Sequence, residues 1–183
     1  IPEEALDKLS RGMYIMLREG TCSHDLEALS PVVLENPLRA RRCCFATDDR
    51  APSDALAIGM IDNACRLAVE RGIDPVLAIS MGTLSTAECF GLDHGHGGPL
   101  EHRGAIAPGK RADLLLLDDL SFEHAPHRVY AAGKLVAEDG LFVGDVAPET
   151  ARVQELEATL RGSVRLPELS PEVFSYDFQP GSA

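Results

Sequence analysis

The sequence predicts an α/β fold: parallel strands alternating with helices, then a small antiparallel β module. Three observations predict it. Two continuous apolar runs, Met13 to Leu17 and Cys43 to Thr47, are too short for typical helices and end in charged residues, so they read as buried strands. Segments with helical spacing lie between and after them. Beyond Gly91 the pattern changes to short apolar runs separated by turn residues. The order strand, loop, helix, strand, loop, helix is that of a parallel α/β arrangement. Two such strands cannot close a barrel alone, so the pattern reads as the end of something larger.

The elements follow in order. Pro2 to Leu9 has a helical pattern, with Pro2 suited to a first turn and Glu3 and Glu4 to the positive N-terminal end. Gly12 interrupts it before the first strand, which ends at Arg18-Glu19-Gly20. Asp25 to Leu29 predicts a short helix stopped before Pro31, and Glu35 to Arg42 a polar connector to the second strand. Asp49 to Pro52 is a loop, after which Ser53 or Asp54 can cap a helix. Met60 to Arg71 has apolar residues at helical spacing and stops at Gly72. Asp74 caps a helix with Pro75 in its first turn, running to Ile79, and Ser85 or Thr86 begins another through Phe90. Asp93 to His102 is a Gly/His-rich loop. Leu114 to Leu117 is a strand, and Val129 to Ala131 with Leu135 to Ala137 form a hairpin about Gly133-Lys134. Ala151 to Leu160 is a further helix, and the residues ending at Ala183 are expected to be poorly ordered.

Composition narrows the function classes. At 183 residues and 45% hydrophobic, the chain has enough apolar material for a core. Its net charge of −12 argues against nucleic acid or an anionic membrane as main partner. A small neutral or cationic substrate fits better, although such a charge also serves simple solubility. The five cysteines are odd in number and make no C-x-x-C pair, which suits a reducing cytoplasm. No apolar run approaches the roughly 18 residues of a membrane span, and no export signal is visible. There is no P-loop, no G-x-G-x-x-G after a strand and no G-x-S-x-G.

Asp48 is the leading candidate for chemistry. A carboxylate at the C-terminal end of a buried parallel strand is where barrel enzymes place catalytic groups, and it can bind a divalent metal or take a proton from water. Asp49 would point elsewhere, with Arg50 as a possible partner. The alternative makes both aspartates turn or cap residues. Glu19 follows the first strand in the same way and can reach the same mouth, or else pair with Arg18 at the surface. His94-Gly95-His96, with His102 nearby, has metal-like spacing but no strand to hold it, so a surface loop is the better reading. His24, His124 and His127 have no partner at convincing spacing, and Lys110 and Arg111 read as exposed turn residues.

Three stretches together resemble a known family. The run from Arg103 to Asp113, with Gly133-Lys134-Leu135-Val136-Ala137-Glu138-Asp139-Gly140, resembles the ending of amidohydrolase-superfamily enzymes generally. Gly12 to Gly20 and Cys44 to Arg50, in this order, narrow it: they look like the bacterial adenine deaminases. Ile73-Asp74-Pro75 to Leu92 is similar as well. The resemblance runs to about residue 145 and continues more weakly through Val164-Arg165-Leu166-Pro167.

The resemblance implies a (β/α)8 TIM-like barrel of a metal-dependent hydrolase, carrying a composite β-sandwich built from segments on both sides of it. Under it, 1–92 is the last part of the barrel, with Met13 to Leu17 as seventh strand and Cys43 to Thr47 as eighth. Residues 93–102 are a loop, 103–146 the small β module and 147–183 the start of a truncated C-terminal domain. The implied reaction is hydrolysis of adenine to hypoxanthine and ammonia at a divalent metal centre, manganese or iron in the usual case and zinc as a further possibility. Asp48 matches the eighth-strand aspartate that ligates the metal and moves the proton, and Glu19 and Thr21 lie where they can line the purine pocket. The family's metal histidines and its strand-four glutamate fall upstream of Ile1, so the chain alone is expected to be inactive. Thr21-Cys22-Ser23 stands where relatives often carry Ser-Ala-Ala, and Ala51 where they often carry His. A cytoplasmic homo-oligomer, or association with the missing N-terminal portion, is expected. The alternatives are another amidohydrolase acting on a cyclic amide or aminopurine, and a non-catalytic interaction module.

Overall fold

The computed structural model describes residues 1–94, 102–144, 156–161, 163, 165 and 170–175. The chain divides into two compact units, Ile1–Gly144 and Asp145–Ala183. The first begins with helix α1 (Pro2–Ser10), whose Pro2 and first-turn glutamates sit as the sequence predicts. Its exposed side carries Glu4–Lys8 and Asp7–Arg11 pairs one turn apart. Strand β1 (Ile15–Arg18) follows, then α2 (Leu26–Glu35), a 3₁₀ segment (Pro37–Arg42) and β2 (Cys43–Ala46). β1 and β2 pair in parallel, with Ile15 opposite Cys43 and Leu17 opposite Phe45. One residue of register therefore decides which side chains face the helices.

Helices α3 (Pro52–Ile58), α4 (Ile61–Glu70), α5 (Pro75–Gly82) and α6 (Leu84–Cys89) complete this layer. The core holds Leu17, Leu26, Val33, Cys43 and Met81, all less than 2% exposed. Ile15, Leu17, Cys43 and Phe45 belong to it, so one face of the strand pair is packed under the helices. On the opposite face Met16 is 44% exposed. The buried thiols behave as small hydrophobes. Burial pushes Cys43 up to about 11, and Cys44 and Cys65 up to about 12, so none is a thiolate at neutral pH.

Two expectations are corrected here. Helix α2 does not stop before Pro31 but runs through it to Glu35. Pro31 is exposed, so the carbonyl of Glu27 that loses its helical donor also faces the solvent side, while Leu26, Leu29, Val32 and Val33 bury the other face. Tertiary burial of that apolar face outweighs the proline penalty. Helix α3 starts at Pro52, after Ala51 and with no side-chain cap, rather than being capped by Ser53 or Asp54. By contrast Asp74 caps α5 as expected, its Oδ1 accepting from the backbone N–H of Val76 at 2.9 Å and of Leu77 at 3.2 Å.

The β module is a four-stranded antiparallel sheet in the order β3 (Leu114–Leu116), β4 (Arg128–Ala131), β5 (Lys134–Glu138), β6 (Leu141–Phe142). The hairpin turns at Ala132-Gly133, both with positive φ. Register puts Leu115, Val129, Ala137 and Phe142 in a row across one face. Lys110 and Arg111 are half-buried rather than exposed, Arg111 bonding Asp113 at 3.0 Å. In the second unit 156–160 are helical and Pro171–Phe174 forms a 3₁₀ turn. The remainder of the expected helix 151–160 lies outside the described residues, as do 95–101 and the C-terminal tail. Among the described residues no helix is long and apolar enough to cross a membrane.

Candidate active site

The C-terminal ends of β1 and β2 lie side by side, and the residues following each strand interlock. Glu19 extends the ladder, its N–H donating to the Ala46 carbonyl at 2.8 Å. The chain then reverses over Gly20 to Ser23: Gly20 N–H donates to the Ser23 carbonyl, Asp25 N–H to the Arg18 carbonyl, and Glu19 and His24 form an antiparallel bridge. Three contacts fasten this turn to the segment after β2. Cys22 N–H donates to Asp49 Oδ2 at 3.0 Å, Ala51 N–H to Thr21 Oγ1 at 2.8 Å, and Arg50 Nη2 to the Glu19 carbonyl at 2.7 Å.

Asp48 stands at the end of β2 with φ +47°, in the left-handed region that Asp tolerates better than most residues. Its carboxylate is exposed and accepts from Arg18 Nη1 at 2.8 Å, while Arg18 Nε donates to Asp25 Oδ2 at 3.1 Å. The hydrogen bond to Asp48 is the main reason the Arg18 guanidinium holds its proton more tightly than usual. Asp49 does point elsewhere, into the turn. Partial burial pushes its acid up, but hydrogen bonds led by the Cys22 N–H outweigh this and leave it below the usual carboxylate range. Neither aspartate caps a helix, and Arg50 grips the Glu19 carbonyl instead of Asp49. The Arg50 Nε is buried without a partner among the described residues.

Glu19 is a buried carboxylate, 8% exposed. It does not pair with Arg18; its Oε1 lies 2.6 Å from His24 Nδ1. Spacing along the chain gives His24 no partner, and the structure supplies one. The available signal was the turn-forming Gly20-Thr21-Cys22-Ser23 between Glu19 and His24, which folds the two back onto each other. Thr21 lies at the same mouth, but its hydroxyl proton is committed to Asp54 Oδ2 at 2.7 Å. His127 also has a partner, Asp139 Oδ1 at 2.7 Å, as does His94 in Asp93 Oδ1 at 2.6 Å; His96 lies outside the described residues.

The Glu19 hydrogen bond, and then its charge, raise the His24 pKa above its ordinary value, with Arg50 opposing. A group whose folded pKa is raised stabilises the fold fully below the unfolded value of about 6.5, and that contribution is lost as pH rises through the folded value. An NMR titration is expected to place the His24 midpoint above about 6.5 and to show it fall in Glu19→Gln. A midpoint indifferent to that substitution would contradict the pairing.

The donors here do not by themselves fit a metal ion. No group of three or more His, Cys, Asp or Glu comes together among the described residues, and the Asp48 carboxylate faces a guanidinium. A divalent ion at Asp48 requires further donors.

Comparison with known proteins follows the same lines. Residues 15–140 match the amidohydrolase family. The chain is 43% identical over 181 residues to an adenine deaminase of Nitratidesulfovibrio vulgaris, covering 99% of this chain and 28% of that protein. It is 46% identical over 138 residues to one of Oceanobacillus iheyensis, covering 75% of this chain and 22% of that protein. The chain thus spans about a quarter of the length of the curated relatives it matches. Among solved structures, a β-aspartyl dipeptidase of Fervidobacterium islandicum superposes with TM-score 0.59 at 21% identity, over 79% of this chain and 38% of that one. At that identity the likeness shows the fold alone.

Proposed function

The chain belongs to the amidohydrolase family, and from that premise we propose that it is the C-terminal part of an adenine deaminase. The observation that carries this reading is its similarity to several adenine deaminases over most of its length. The interlocked Arg18-Glu19-Gly20 and Asp48-Asp49-Arg50 segments support it, because hydrogen bonds join the two stretches that carry the resemblance into one mouth. The overall reaction replaces the C6 amino group of adenine with oxygen from water and releases ammonia. In it Asp48 takes a proton from the attacking water and delivers it toward the leaving nitrogen. Glu19 and Thr21 line the base pocket, Thr21 through its remaining lone pair.

Membership of the family implies a divalent metal cofactor. Our reading is manganese or iron, with zinc possible, and Asp48 as this chain's ligand; the other donors lie beyond the described residues. The parallel pair β1–β2 reads as part of a (β/α)8 barrel. The exposed Met13 and Met16 at β1 suit contact with a further part of that barrel or with another subunit. The sheet β3–β6 reads as part of a composite β-sandwich, since Leu115 and Phe142, both more than half exposed, share its apolar face. A cytoplasmic homo-oligomer acting on the free base completes the reading.

The test is direct. The full-length protein, supplied with manganese or iron, should convert adenine to equal amounts of hypoxanthine and ammonia. This chain alone should convert none. Failure of the full-length protein on adenine, with turnover of a cyclic amide instead, would move it to another amidohydrolase activity. Robust turnover by this chain alone would overturn the requirement for further donors.

A further inference from the structure

Resting on the adenine reading above, we propose that His24 is a positioning residue: it fixes the Glu19 carboxylate so that its second oxygen stays free to accept an N–H of the base. Four observations carry this. First, Glu19 sits at the C-terminal end of β1, beside the end of β2 that bears Asp48, where barrel enzymes gather their reacting groups. Second, its side chain is 11% exposed, and among the described residues His24 Nδ1 is its sole hydrogen-bond partner. One carboxylate oxygen is engaged at 2.6 Å and the other is left with its lone pairs. That second oxygen is not among the fully buried polar atoms that lack a partner, so it remains open to a ligand that brings a donor.

Third, the backbone around both residues is pinned. The Glu19↔His24 bridge, the Gly20 to Ser23 hydrogen bond and the Arg50 grip on the Glu19 carbonyl fix where the two side chains start. Preorganisation of this kind is what lets an acceptor select a substrate. Fourth, the His24 side chain is 55% exposed and contributes little to the core, so its conspicuous role is toward Glu19. An imidazole with its proton on Nδ1 donates to Glu19 whether neutral or charged, so the positioning persists on both sides of its titration.

The experiment is kinetics on the full-length protein with adenine, using His24→Ala, His24→Asn, Glu19→Gln and the double variant Glu19→Gln/His24→Ala. The Asn amide can place an N–H near where Nδ1 stands. His24→Ala is expected to raise KM about tenfold with kcat changed less than about threefold, and His24→Asn to recover most of the loss. In the Glu19→Gln background His24→Ala should have little further effect, because the two act as one unit. Circular dichroism melts confirm that each variant is folded. An unchanged KM in His24→Ala, equal loss in Ala and Asn, or additive effects in the double variant would each overturn the proposal. If the wild-type protein does not deaminate adenine at all, it is the underlying functional reading that fails.

Discussion

Replacing Asp48 by Asn in the full-length protein is expected to lower kcat for adenine about 10²- to 10⁴-fold, the usual contribution of a positioned general acid–base. Asn is the informative substitution. It keeps the size of the side chain and tolerates φ +47° as well as Asp does, so the backbone has no reason to move. Ala would add left-handed strain and confuse the result. The change also removes one of the two carboxylates on Arg18, but that pair is largely solvated, and such pairs contribute about 0–1 kcal/mol. A large loss of kcat with a nearly unchanged melting temperature is therefore the expected signature. Activity within tenfold of wild type would remove Asp48 from the chemistry.

Gly20→Ala is expected to destabilise the protein by about 1–3 kcal/mol through overpacking, read as a lowered midpoint of urea unfolding. Gly20 is buried between the two strand ends. A Cβ there would overlap Asp49 Oδ1 and lie 2.9 Å from the Thr47 carbonyl oxygen. Asp49 cannot turn away without releasing the Cys22 N–H, and the Thr47 carbonyl is backbone. Asp49→Ala in the Gly20→Ala background should recover part of the loss but not all, because the Thr47 contact remains. Adenine turnover should fall in Gly20→Ala as well, since the clash separates the turn that carries Glu19 from the segment that carries Asp48. An unchanged unfolding midpoint would show that the junction is looser than its contacts imply.

Both expectations concern a junction that the sequence showed as two separate stretches. The strands themselves were legible: short apolar runs bounded by charge became β1 and β2 within about two residues, a usual boundary error. The Asp74 cap, the Gly72 stop and the hairpin at Gly133 were legible too, because each is a local rule satisfied by neighbouring residues. The passage of α2 through Pro31 was not legible, since the cost of that proline depends on whether the carbonyl it leaves unpaired can meet water. The start of α3 was not legible either: Ser53 and Asp54 have the chemistry of caps, but Pro52 already supplies the helical φ and needs no donor partner.

The amino-acid order by itself determined which residues end the strands, that they are charged, and which enzymes they resemble. Patterning of apolar residues and turn chemistry act over a few positions, so they can be read along the chain. Which of those charged residues meet was decided only by the tertiary structure. Parallel pairing of β1 with β2 brings Arg18 to Asp48, Asp49 to the Cys22 amide and Arg50 to the Glu19 carbonyl, all across about thirty residues. The reversal at Gly20 then gives Glu19 its histidine. Side chains at the end of a strand have no local rule that selects their partner. Register and the turn geometry select it, and both are set by what the core buries.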